Sequence, residues 1–258
     1  MITIPELVSY ASEFDCAPKE PLRITLFLRW GALLLSYDQL CLDNLLARCA
    51  LDVATDGARL TDTNEPYDLP TPLQCLWRNE RGLPLWAATP FMPAGQVERD
   101  VFYQHKRAQT GGFTAARGGR GYGVQVVSGR WMERRTPLPM VMAERFEATC
   151  IGNARLIGRL LDPLTHAGKR RAIGFGEIDH WLIEPLGHAF TLLDDGLRLA
   201  RAMPAGAIDA LFGAEMRPTG EPVPVGWTPP QWKPSLFSLG WMAGTPVEVD
   251  WYEAAGHD

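Results

Sequence analysis

No stretch of the chain approaches the roughly 18 unbroken apolar residues that a membrane helix requires. The richest candidate, Leu22 to Leu35, is interrupted by Arg23, Arg29 and Gly31, so no membrane partner is expected. The opening residues, Met1 to Glu6, lack the basic segment and apolar run of a secretory signal, which makes the cytoplasm the expected location. The five cysteines, Cys16, Cys41, Cys49, Cys75 and Cys150, contain no C-x-x-C pair and are odd in number. In a chain long enough to have its own core they read as reduced thiols. The five histidines at 105, 166, 180, 188 and 257 contain no H-x-x-x-H pair, so no metal and no other cofactor is expected. Familiar motifs also fail on inspection. Gly174-x-Gly176 has Asp179 where a dinucleotide loop needs its third glycine, and it precedes a strand. Gly168-Lys169 is followed by Arg170, with Pro163 where a phosphate-binding loop begins. There is no G-x-S-x-G elbow, and no carboxylate cluster suits two-metal hydrolysis.

What is present is core material and an uneven charge. Nine Trp, ten Phe and six Tyr among 258 residues, with 46% apolar content, favour a folded domain over disorder. The 25 Lys and Arg against 30 Asp and Glu leave −5, which excludes a uniformly basic nucleic-acid binder. Yet residues 99 to 171 hold fourteen cations and five acids, a surplus of nine positive charges. The rest of the chain holds eleven cations and 25 acids, a balance of −14. Twelve of the fourteen central cations are Arg, whose planar fork suits phosphates and whose face stacks on bases. The alternative is a solvated basic face or one that pairs with the acidic remainder.

Hydrophobic periodicity supplies an architecture. Leu22 to Trp30 alternates, with Leu22, Ile24, Leu26, Leu28 and Trp30 on one face, and predicts a strand. Leu42, Leu45, Leu46 and Cys49 have helical spacing, with a cap expected at Ser36 or Asp38. Leu83 to Phe91 predicts a short interrupted strand, and Val97 to Arg107 and Val141 to Cys150 two further strands. Ile157, Leu160, Leu161 and Leu164 predict a second helix, opened by Gly152-Asn153 and closed by Gly168. A strand over Ile178 to Ile183 completes two β-α-β halves, the order of an α+β, ferredoxin-like (RRM-like) sheet. This core spans 22–184, after an N-terminal extension over 1–21 and before a C-terminal extension over 185–258. Within that extension, Asp194 to Phe212 predicts a helix interrupted at Pro204, and Pro218 to Pro246, with seven prolines and three tryptophans, an extended arm docked on this chain or on a partner.

Two segments carry candidate chemistry. Residues 110 to 129 hold seven glycines together with Arg117, Arg120 and Tyr122, a mixture suited to a single-stranded backbone with exposed bases, or simply a surface loop. The segment reads as a hairpin or loop within a basic insertion at about 106–135, which also holds Lys106 and Arg107. Tyr103, His105 and Lys106 offer the base, proton donor and cation that metal-free RNA cleavage needs. A regular strand turns Lys106 away from the other two, so a bulge or turn is required for them to converge.

The run from Gly168 through Lys169, Arg170, Arg171, Gly174, Phe175 and Gly176 to Trp181 resembles the C-terminal glycine-rich loop of the RAMP superfamily, the CRISPR-associated RNA-binding proteins with a ferredoxin-like core. Taken in order with Leu22 to Leu26, the Leu42 helix, Pro84 to Ala88 and the His105 stretch, it resembles the Cas-five-like subunit of type IV CRISPR effectors over about Leu22 to Glu184. The resemblance implies a non-catalytic subunit that binds the 5′ handle of the CRISPR RNA and caps the backbone filament. It also implies contact with the large subunit, with the PAM-proximal target DNA and with a recruited DNA helicase, in antiviral and anti-plasmid defence. Lys169, Arg170, Arg171 and the Gly174-Phe175-Gly176 backbone would then contact handle phosphates, with Phe175 stacking a base. Lys106, Arg107, Arg117, Arg120 and Tyr122 would grip RNA or target DNA. Two alternatives are a metal-independent endoribonuclease that processes repeat RNA through Tyr103, His105 and Lys106, and a general single-stranded RNA binder using Arg23, Phe27 and Arg29.

Overall fold

Alternation in the first long strand decides how the main sheet is covered. The computed structural model describes residues 1–34, 39–57, 65–106, 134–169, 174–213 and 215–249. Helix α1 (Val8–Cys16) leads into strand β1 (Glu20–Leu28), followed by β2 (Ala32–Leu34), β3 (Leu40–Cys41) and helix α2 (Leu42–Thr55). The hairpin of β4 (Cys75–Arg78) and β5 (Pro84–Trp86) precedes two long strands, β6 (Pro90–Lys106) and β7 (Arg134–Gly152). Helix α3 (Ala154–Leu161) and strand β8 (Ile178–Pro185) complete the main sheet. Its spatial order is β3-β6-β7-β1-β8, with β2 also on β7 and every neighbouring pair antiparallel. The protein is therefore a mixed α/β structure built on antiparallel sheets.

Register puts one apolar face under the helices. Ile24 lies opposite Ala148 and Ile183, and Leu26 opposite Phe146 and Trp181. These side chains share a core with Leu42, Leu46 and Ala50 of α2 and Leu156, Ile157, Leu160 and Leu161 of α3. Phe14 of α1 joins the same core. Outside it, Glu13 accepts a hydrogen bond from Arg159 at 2.6 Å, which with the Arg159 and Arg155 charges holds its carboxyl below the usual range. On the opposite sheet face, the Phe27 ring stacks on His180 with centroids 4.3 Å apart.

Four local expectations need correction. The first strand stops at Leu28, where its register against β8 shifts between Phe27 and Leu28 and a turn follows through Gly31 at φ +65°. Trp30 therefore leaves the core face and is 73% exposed. Helix α2 begins only after Cys41, because Leu40 and Cys41 are held extended against Phe91 and Pro90; Ser36 and Asp38 lie outside the described residues. Asn153 does open α3, its side chain accepting the Leu156 N–H at 3.0 Å. The helix ends at Leu161, however, before Pro163, which lacks an N–H and cannot continue it. Gly168, at φ +74°, belongs to the loop beyond.

The fourth correction concerns the C-terminal region, where only α4 (Ala205–Phe212) of the helix expected over 194–212 forms. Strand β9 (Met203–Pro204) precedes it, and β10 (Met216–Pro218), β11 (Val223–Val225), β12 (Ser238–Trp241) and β13 (Val247–Val249) follow. The Asp194 carboxylate accepts the Gly196 and Arg198 N–H groups, stabilising a turn instead of a helix start. Strands β11, β12 and β9 form one small sheet, and β10 pairs with β13. They enclose a second core in which Met203, Ile208, Val225, Trp227, Leu236 and Val247 meet Leu83 and Leu85 of the β4–β5 hairpin region. The Pro- and Trp-rich segment thus packs largely on its own chain, with Trp227 fully buried.

Arg201 joins the two cores. Its guanidinium, buried at 2% exposure, pairs with Asp43 in the first turn of α2 at 2.7 Å. It also donates to the carbonyls of Trp86 at 2.8 Å, Ala88 at 2.9 Å and Trp227 at 2.6 Å. Gln231 donates to the other Asp43 oxygen at 3.2 Å. Every partner is itself fixed by one of the two units, so the cation acts as a common anchor.

Candidate nucleic-acid interface

Strands β6 and β7 make a hairpin that continues beyond the rest of the sheet. Its ladder runs without a register shift from Val97 opposite Ala143 to Lys106 opposite Arg134. Residues 134–137 are exposed, as are Val101, Tyr103 and His105 on the partner strand. The described ladder has no bulge between Tyr103 and Lys106, the irregularity that convergence of the three residues would require. Tyr103 and His105 share a strand face, His105 lies opposite Arg135, and the Arg135 guanidinium sits 3.9 Å from the centre of the Tyr103 ring. This leaves a cation over the Tyr103 phenol.

The glycine-rich loop reaches the hairpin from the other side. Gly174 and Gly176 have φ of +90° and +68°, conformations that favour glycine. A Cβ on Gly176 would run into the Ala167 carbonyl, whereas one on Gly174 would meet open space. The Gly176 C=O accepts the Ala167 N–H at 2.8 Å, and its N–H donates to Ala32 of β2 at 3.2 Å. Between these glycines the half-buried Phe175 ring meets Phe102 of β6 in a T-shaped contact, centroids 4.9 Å apart and planes at 61°. Phe102 faces Leu138 across the hairpin. A small apolar cluster thus fastens two segments separated by more than seventy positions in sequence.

The candidate binding residues divide accordingly. Lys169 is exposed, and Gly174, Phe175 and Gly176 form the described end of the loop; Arg170 and Arg171 lie outside the described residues. Lys106 closes the β6 ladder, while Arg107, Arg117, Arg120 and Tyr122 also lie outside. Of the residues considered for a general RNA surface, Arg23 and Phe27 occupy the sheet face away from the helices. Arg29 instead sits in the turn after β1.

That turn contains what periodicity missed. The Arg29 guanidinium donates to Glu177 Oε1 at 2.9 Å, and the Trp30 indole donates to Glu177 Oε2 at 3.2 Å. Glu177 directly follows Gly176, so the turn and the loop share an anchor. Continuous alternation concealed Trp30 among core residues; the following Gly31 was the available signal for a strand end.

Other features offer different chemistry. A cleft of about 910 Å³ lies between α3 and β8, lined by Arg159, Asp162, His166, Glu177, Asp179 and Trp181 among others. Three of those are carboxylates, and Arg159 is already bound to Glu13, so the cleft does not favour a phosphate. Among the described residues no three His, Cys, Asp or Glu side chains are grouped as metal ligands. No described helix is long and apolar enough to cross a membrane. The Cys41 and Cys150 thiols are pushed up to about 12, by burial first and for Cys41 also by Asp43, so neither supplies a thiolate near neutral pH. No family model matches the chain, and no curated protein matches its sequence.

Proposed function

We propose that this chain is a non-catalytic RNA-binding subunit of a type IV CRISPR effector, similar to the Cas-five-like members of the RAMP superfamily. The observation that carries the reading is the Phe102–Phe175 contact, which brings the base of the basic hairpin against the glycine-rich loop. Cations from two distant parts of the sequence then serve one phosphate backbone. The strand order β6-β7-β1-β8, with α2 and α3 sharing one apolar face, supports the ferredoxin-like component of the proposal. The concentration of fourteen Lys and Arg in residues 99–171 supports RNA as ligand, while the acidic remainder disfavours indiscriminate nucleic-acid binding.

In this role Lys169, Arg170, Arg171 and the Gly174–Gly176 backbone hold the 5′ handle of the CRISPR RNA. The hairpin residues Lys106, Arg107, Arg117, Arg120 and Tyr122 close over RNA or PAM-proximal target DNA. Backbone and large subunits, with a recruited helicase, are the proposed protein partners.

The test uses purified full chain with end-labelled repeat RNA in EDTA, run on native and denaturing gels. The expected result is a shifted band whose RNA remains intact. A discrete cleavage product that disappears with His105→Ala would establish the processing nuclease instead.

A further inference from the structure

We infer that Trp30 is a platform on which one unpaired base of the bound RNA stacks, an inference that rests on the RNA-binding proposal. Tryptophan is the largest apolar side chain and is ordinarily used to fill a core or an interface. Here its residue exposure is 73%, although Leu22, Ile24 and Leu26 of the preceding strand are all buried. The ring is nevertheless held at one edge: the Trp30 Nε1–H donates to Glu177 Oε2 at 3.2 Å. That bond satisfies the indole's polar atom without covering a π-face.

The support beneath the ring is fixed at several points. Glu177 receives the Arg29 guanidinium at 2.9 Å and, through its backbone carbonyl, the Arg29 N–H at 3.0 Å. Gly31 donates to Leu28 at 3.2 Å and accepts the Ala143 N–H at 2.9 Å, tying the turn to β1 and β7. A preorganised aromatic surface loses less freedom on binding than a mobile one.

Its surroundings select a base. Gly176 precedes Glu177 in sequence, placing the platform beside the loop proposed to hold phosphates. The Glu177 carboxylate at the ring edge repels a phosphate placed directly there, whereas a neutral base can lie on the indole face. Arg29, with its side chain 56% exposed, supplies a cation at the platform's border. Base–aromatic stacking tolerates all four bases, so the contact contributes affinity and register without dictating sequence.

The experiment measures binding of the full chain, Trp30→Ala and Trp30→Phe to repeat RNA and to the same RNA carrying one abasic residue at each position in turn. Trp30→Ala should weaken binding to intact RNA by at least about fivefold, and Trp30→Phe by less. At one position the abasic RNA should reproduce this loss in the unmodified protein and add none in Trp30→Ala, the non-additivity expected of two partners in one contact. Unchanged RNA affinity in Trp30→Ala would remove the platform while leaving the broader reading intact. Equal losses for both proteins at every abasic position would also overturn it. Unchanged RNA affinity combined with failed assembly on effector subunits would assign Trp30 to a protein contact. Failure of the unmodified chain to bind any repeat RNA would overturn both the platform and the reading beneath it.

Discussion

Arg201→Ala is expected to lower stability by about 3–5 kcal/mol, measured by urea unfolding of the full chain. The substitution leaves Asp43, itself 1% exposed, without its cation and deprives the carbonyls of Trp86, Ala88 and Trp227 of a donor. Breaking one side of a buried pair leaves the other charge without compensation, which is more damaging than replacing both partners. A combined Arg201→Met and Asp43→Leu variant should therefore recover a substantial part of the loss. Because the guanidinium links α2, the β5–β6 junction and the C-terminal unit, Arg201→Ala should also accelerate proteolysis after residue 185. A change below about 1 kcal/mol in Arg201→Ala would contradict the anchoring role, since even an ordinary buried hydrogen bond is worth about that much.

On the proposed function, reversing the charge at Arg170 and Arg171 together should weaken repeat-RNA binding by about a hundredfold or more, the loss expected for two charge-assisted phosphate contacts. The salt dependence provides the more specific signature. Each phosphate neutralised on a single strand contributes about 0.7 to the slope of log affinity against log salt, so the slope should flatten by about 1.4. A charge-preserving pair, Arg170→Lys and Arg171→Lys, should retain most of the slope while losing affinity where the planar fork matters. Titrations at several salt concentrations distinguish these outcomes from a folding defect, because a misfolded fraction changes the amplitude without producing this slope change. Unchanged affinity and slope in the double reversal would remove the loop from the interface.

The main sheet was legible where one face is buried and the other is not. Leu22, Ile24, Leu26 and Leu28 alternate because the helices cover only one side of β1, and Leu156, Ile157, Leu160 and Leu161 repeat because α3 lies on that same face. The signal failed where a tertiary constraint ended an otherwise regular pattern. Trp30 continues the alternation of β1 in sequence, but the shift at Phe27/Leu28 and the Gly31 turn remove it from the ladder. Leu164 continues the helical spacing of α3, yet Pro163 has already ended the helix.

The C-terminal unit was less legible for a different reason. Its strands β9 to β13 contain two to four residues each, too few to display a period, and several include proline. Arg201 reads as a surface cation within Leu197 to Met203; its burial depends on Asp43, far away in sequence. The loop cations and the Tyr103–Lys106 group were recognisable by composition and proximity. The Phe102–Phe175 contact was not, because neither ring identifies the other across the intervening chain. Trp30 was similarly concealed, since its partner Glu177 lies at the far end of the main fold.

The most direct measurement is competition between a handle-bearing CRISPR repeat RNA, the ligand that the proposed function names, and an RNA of equal length and composition with the handle scrambled. Both are titrated against the full chain at one fixed salt concentration. If the hairpin and glycine-rich loop form a handle-binding face, the native handle should win by about tenfold or more, a difference of about 1.4 kcal/mol. Arg170→Glu with Arg171→Glu should reduce binding to both RNAs. Equal affinity of the unmodified chain for native and scrambled RNA would contradict handle recognition and leave a general single-stranded RNA binder in its place.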